Sequence, residues 1–171
     1  MLILALDISS VGTGFSTLVD GHIDAYGIIS PNKKLSLGDK LLYFEKEVKY
    51  LIKQYKPDYI IVEDIFCFNK VSFKCLAEFR GVAIKAIYEA YGKDPYSIMA
   101  VEARKIMGVG TKKEDAFIGI TKLCNLKNFD FIRDNDIVDS FCLGLACYRM
   151  INNKDFYCKE KRKKKRKTRV K

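Results

Sequence analysis

Two short apolar runs each end in an acid, and they say more about the fold than anything else in the sequence. Residues 2–7 read LILALD and residues 59–63 read YIIVE. Runs of this length and composition read as buried strands. Each strand brings its terminal carboxylate to the carboxyl-end edge of a sheet, the side on which open α/β sheets bind ligands. A second pair of acids, Asp136 and Asp139, opens a late helix in DNDIVDS, and a spacing of three puts them on one face. Four converging carboxylates repel one another unless cations lie between them. Paired divalent metals, roughly 3.5–4 Å apart, are what in-line phosphoryl displacement uses. The pattern is that of a nuclease.

The rest of the chain supplies strands first and alternation afterwards. A second strand is predicted over 13–19 and a third over 22–29, joined by the Asp20-Gly21 hairpin signal. Leu41, Phe44, Val48, Leu51, Ile52 and Tyr55 recur at helical spacing and predict a helix over 37–55. Pro57-Asp58 ends it and starts the strand 59–63. A long helix over 70–91 follows, with Ala77, Gly81, Ala83 and Ala86 small enough for close packing on the sheet or on another helix. Residues 96–101 predict a fifth strand, two shorter helices flank Gly108-Val109-Gly110, and a last helix runs over 135–151, capped by Asn135 or Asp134. The expected fold is α/β: a five-stranded mixed sheet, its first three strands antiparallel, flanked by helices.

A length of 171 residues suits one domain with a full core, expected over 1–152. No run approaches the roughly 18 apolar residues of a membrane span and no charged leader is visible, so a cytoplasmic protein without membrane contact is expected. Six cysteines without a C-x-x-C pair, most inside apolar segments, read as reduced core thiols. The net charge of +10 is concentrated in the tail: residues 159–171 hold ten Lys or Arg against Glu160 alone, which leaves the body near neutral. The tail, 153–171, cannot bury apolar surface. It is expected to act as a nucleic-acid arm through Lys161, Arg162, Lys163, Lys164, Lys165 and Arg166, with strong salt dependence. The Lys-, Ile- and Asn-rich composition fits an AT-rich genome, a phage or its host.

The stretches ILALDISSVGTGFS, IIVEDIFCFNKVSFKCLAEFRGVAI, the Gly-Val-Gly turn and DNDIVDSFCLGLA carry a resemblance. The chain resembles the RuvC-like Holliday junction resolvases of the ribonuclease H-like superfamily, and looks closest to their small phage-encoded members. The resemblance implies that Asp7, Glu63, Asp136 and Asp139 are the catalytic, metal-binding carboxylates, holding two Mg²⁺ or Mn²⁺ ions per site and no small-molecule cofactor. It implies a homodimer; the small residues of the 70–91 helix make that helix the expected interface. Its expected substrate is branched DNA, cut by symmetric nicks in opposing strands of a four-way junction that leave 5′-phosphate and 3′-hydroxyl ends. Phe66 matches an aromatic that packs against bases at the junction centre. Three features depart from the bacterial pattern. Ile8-Ser9 stands where Pro-Gly is usual, Glu114 occupies the place of a lysine (with Lys112 and Lys113 just before it), and the tail is long and basic.

Other roles compete for each residue. Asp7 could cap a turn. Glu63 has Asp64 as a neighbour, and alternation lets only one of them join a cluster. Asp136 and Asp139 could merely complement a helix dipole, and Phe66 could be core. Lys112, Lys113 and Arg104 are the candidate cations for a developing phosphate charge, and all three are expected at the DNA. His22, in the hairpin, is expected on the surface. The rival functions are another ribonuclease H-like nuclease, cutting RNA–DNA hybrids, and a catalytically inactive junction- or DNA-binding protein.

Overall fold

The computed structural model describes residues 1–64 and 70–153. Phe66 and the basic tail positions Lys161 to Arg166 lie outside the described residues. The elements are β1 (Leu2–Asp7), β2 (Thr13–Val19), β3 (His22–Ile29), α1 (Leu37–Tyr55), β4 (Tyr59–Glu63), α2 (Lys70–Tyr91), β5 (Tyr96–Ile98), α3 (Ala100–Met107), α4 (Lys113–Leu123) and α5 (Phe131–Asn152). The sheet order is β3-β2-β1-β4-β5. β1–β2 and β2–β3 pair antiparallel, while β1–β4 and β4–β5 pair parallel. Asp20 and Gly21 both take positive φ, 49° and 82°, which suits the twist of a two-residue hairpin.

Two boundaries differ from the sequence reading, both for local reasons. β5 stops at Ile98, because the chain turns at Met99 to start α3. α5 begins at Phe131 rather than near 135. Asp130 caps it by accepting from the amides of Ile132 and Arg133, and Asp134 accepts in return from the Asp130 amide. This reciprocal arrangement satisfies amides that would otherwise lack partners.

Strand pleat divides the core into two. On one face Ile3, Ala5, Leu18 and Ile61 pack beneath α3, α4 and α5. On the other, Leu4, Leu6, Ile60 and Val62 pack against Phe44 and Val48 of α1 and Phe79, Ala83 and Ala86 of α2. Ala83 and Ala86 thus spend their small size inward, while the exposed Gly81 has nothing within 4 Å of where a Cβ would stand. On the α5 side, Gly14 and Gly144 remove the side chains that would hold the helix off the sheet. A Cβ on Gly144 would lie 2.2 Å from Leu18 Cδ1, and one on Gly14 would lie 2.0 Å from the Asp136 carbonyl oxygen.

α1 and α2 are further joined by a half-exposed network: Lys49 and Lys85 each bridge Glu45 and Glu89 at 2.6–3.0 Å. Hydrogen bonds from Lys49 and Lys85 pull the Glu45 carboxyl down from 4.5 to about 2. A depressed carboxyl stabilises the fold above its unfolded pKa and loses that contribution as pH falls through the folded value. Glu45→Gln should therefore lower the melting temperature at pH 7 by about 1–3 °C, in keeping with the ~0.5–1 kcal/mol of an exposed network. The gap to wild type should close between about pH 4.5 and 2. Equal melting temperatures at pH 7 would show that the network contributes nothing.

Candidate active site

The pleat that divides the core also aims the acids. Asp7 follows Ile3 and Ala5 in parity on β1, and Glu63 follows Ile61 on β4, so both side chains belong to the α5 face. Asp64 takes the opposite face, toward α2. The adjacent-acid ambiguity is resolved by geometry: Glu63 lines one crevice with Asp7, whereas Asp64 pairs with Arg80 at 2.8 Å. α5 crosses above, with Asp136 and Asp139 six and nine residues beyond its Asp130 cap. Macrodipole compensation acts within the first turn, so it explains Asp134 far better than these two. Asp134 is spoken for by the cap and by Arg133, which holds its carboxyl below the usual range.

Depth increases from α5 to the sheet. The Asp136 side chain is 33% exposed, Asp139 16%, and Asp7 as a residue only 7%. Burial pushes the Asp7 carboxyl well above its ordinary value, and Glu63, Asp139 and Asp136 push it further in that order. Asp7 therefore senses all three of the other acids. A crevice beside three of the four is lined by Asp7, Glu63, Asp139, Ala100, Ala103, Arg104, Cys142 and Leu143. Burial carries the Cys142 thiol up to about 12, so it lines the crevice as a small apolar group rather than a thiolate.

Two cations reach the cluster. Lys113 Nζ lies 3.3 Å from Asp136 and 3.2 Å from Asp139. Burial acts to lower its pKa, but Asp139, Asp136 and Asp7 outweigh that and hold it above the ordinary lysine value. Of the two lysines before Glu114, Lys113 is thus the one at the acids; Lys112 is exposed at the N-cap of α4. Arg104, expected at the DNA, is instead turned inward. It is 9% exposed and donates to the Thr111 carbonyl at 2.9 Å and to Asp139 at 3.2 Å. Its guanidinium ties α5 to the turn between α3 and α4. His22 is exposed, as expected.

The Ile8-Ser9 turn after Asp7 has its own support. The Thr13 hydroxyl accepts from the Ser9 amide and donates to the Ser9 carbonyl, both at 3.1 Å, and Ile8 is buried in the α1–α2 core. Among the described residues no group of three or more His, Cys, Asp or Glu is arranged to hold a metal ion as it stands. Asp7 is engaged with Glu63, and Asp136 and Asp139 with Lys113. The donor chemistry nonetheless fits a hard divalent ion, for which carboxylate oxygens are the preferred ligands. Among the described residues, two side-chain cations against four acids leave the cluster short of positive charge.

A family model described as crossover junction endodeoxyribonuclease RuvC matches residues 3–147. The chain belongs to the RuvC family. That family is one of metal-dependent, junction-resolving endonucleases. The RuvC of Dictyoglomus turgidum is 27% identical over 156 residues, 85% of this chain and 95% of the relative. The RuvC of Acidobacterium capsulatum is 36% identical over 76 residues, an alignment that spans 44% of each chain. T. thermophilus RuvC, solved in complex with a Holliday junction substrate, superposes with a TM-score of 0.76 at 13% identity over 88% of this chain and 94% of that one. That likeness shows the shared fold, the five-stranded ribonuclease H-like sheet with its helices. The acid cluster lies at the carboxyl edge of β1 and β4, within the residues that the family model matches.

Proposed function

We propose that this RuvC family member resolves four-way DNA junctions, acting as a homodimer that nicks opposing strands symmetrically. The observation that carries the reading is the buried Asp7 carboxyl, crowded by three further acids from β4 and α5. Desolvating an acid among like charges is costly, and a structural role gives no return for it. Asp7, Glu63, Asp136 and Asp139 would hold two Mg²⁺ ions, with Mn²⁺ as a substitute. Such ions supply Lewis-acid polarisation of the scissile phosphate and activation of the attacking water.

The chain's own residues do the rest. Arg104 holds Asp139 against the α3–α4 turn, fixing the deeper of the two helix acids. Lys113 balances charge between Asp136 and Asp139 and lies near enough to meet negative charge that develops on a phosphate. Phe66, following the active-site strand, would stack on a base at the junction centre. The basic tail, with Lys112 on the folded body, would track phosphates. A two-fold dimer, with α2 as the proposed interface, presents two identical sites to a substrate of matching symmetry. A bacterial cytoplasm, and a phage genome, are the setting we infer. No described helix is long and apolar enough to cross a membrane.

The test is a comparison of substrates in Mg²⁺: a synthetic four-way junction, a linear duplex and an RNA–DNA hybrid. Paired nicks in opposing junction strands, closed again by a ligase, are the expected result. Cleavage of the hybrid with an intact junction would replace this reading by that of a hybrid-directed ribonuclease. Junction binding without cutting in any divalent ion would favour a protein that only binds.

A further inference from the structure

Glu63 is the last residue of β4, where a strand begins to fray, yet its side chain lines the same crevice as Asp7. The next residue shows how this is managed. The Asp64 amide donates to the Ile98 carbonyl of β5 at 2.8 Å, extending the ladder one step past Glu63. The Asp64 carboxylate, on the opposite face, accepts from Arg80 Nη2 at 2.8 Å, and the same Nη2 lies 2.9 Å from Ser97 Oγ of β5. One guanidinium from α2 therefore clasps the ends of both parallel strands at the edge where the acids meet. Backbone and side chain of Asp64 are both tied, so the peptide joining it to Glu63 cannot turn and the Glu63 side chain keeps its direction. Asp64 is half exposed, and an ion pair so placed adds little stability. Its worth is in aim. Displacements of about 1 Å at a reacting centre can cost ~10²-fold in rate.

We propose that Arg80 is a positioning residue for the Glu63 carboxylate, acting through Asp64 and Ser97 from the face opposite the active site. The proposal rests on reading the four acids as the divalent-ion site. A planar guanidinium serves two acceptors in a fixed geometry, whereas a lysine offers a single flexible point charge. Arg80→Lys should therefore restore only part of what Arg80→Gln loses.

The experiment uses full-length wild type, Arg80→Gln, Arg80→Lys, Asp64→Asn, the Arg80→Gln/Asp64→Asn double variant, and Glu63→Gln as a reference. Three quantities are read: the rise in melting temperature on adding Mn²⁺ alone, the single-turnover rate on saturating junction, and junction affinity without divalent ion. Arg80→Gln and Asp64→Asn are each expected to cut the rate roughly 10- to 100-fold and to shrink the Mn²⁺-induced rise. Junction affinity should stay within about 3-fold, and the double variant should be no worse than the poorer single, as for one coupled pair. Singles at wild-type rate and Mn²⁺ response would overturn the proposal, as would losses that multiply in the double variant or fall entirely on junction affinity. If Glu63→Gln itself cuts normally, the reading of the acid cluster fails. If Glu63→Gln is dead while Arg80→Gln is fully active, only the positioning role fails.

Discussion

Asp7→Asn is expected to abolish junction cleavage, by roughly 10³-fold or more, while leaving junction binding intact and raising stability in metal-free buffer. The first part follows from the central place of Asp7 among the acids: it is the most buried of the four sites and couples to the other three. Losing a carboxylate at the centre of a divalent-ion site removes the charge on which electrostatic catalysis depends. The second part follows from the same numbers read for stability. An ionised Asp7 is desolvated beside Glu63, Asp139 and Asp136, and its raised pKa means that the folded state resists the charge. An amide of nearly the same shape carries no such penalty and can donate to Glu63. The melting temperature without divalent ion should therefore rise by about 2–4 °C, equivalent to ~1 kcal/mol for a chain of this size. Gel assays with and without Mg²⁺, together with thermal melts in chelator, check both parts. A variant that cuts at the wild-type rate would sink the assignment of Asp7; one that is inactive and less stable would show that its burial is structural.

Gly14→Ala is the second large effect, and no chemistry changes in it. Gly14 is the β2 partner of Asp7, and the backbone of α5 rests on it. An added Cβ would stand 2.0 Å from the Asp136 carbonyl oxygen, 2.4 Å from its carbon and 3.0 Å from the Ile137 amide nitrogen. None of these atoms can rotate away, so either α5 lifts from the sheet or β2 bends. Overpacking of this kind costs ~1–3 kcal/mol, or roughly 2–12 °C in melting temperature. Because the two atoms struck hardest belong to Asp136, cleavage should fall by about 10²-fold even where the variant is fully folded at the assay temperature. Rates and melts measured together decide the matter. A variant matching wild type in both would mean that α5 does not sit on Gly14 as described.

Much of this was legible in the residues alone. Apolar runs ending in acids gave β1 and β4 and the edge they share; helical spacing gave α1, and the span expected for α2 is about the one it occupies. What escaped the sequence reading was set in part by local capping geometry and in part by contacts between distant segments. The start of α5 depends on reciprocal bonds between Asp130 and Asp134, which resemble an ordinary acidic loop until the chain is folded. β5 ends early because Met99 opens a helix without any side-chain cap to announce it. Arg104 is one of three candidate cations for a phosphate, and nothing local reveals that it pairs with Asp139, 35 residues away. Lys112 and Lys113 are indistinguishable as neighbours, and only the helix face of α4 separates them. Arg80 stood in a matched motif without a role until the pleat put Asp64 beside it.

The pleat carries a lesson for anyone altering this protein. Asp7 and Glu63 reach the same crevice because each stands an even number of positions along its own strand from the core residues Ile3 and Ala5, or Ile61. One residue inserted or deleted within either strand would swing its acid to the far side of the sheet, whereas the hairpins and connections outside could lengthen without moving either oxygen. Redesign is free to work in the loops; inside β1 and β4 it must keep the count.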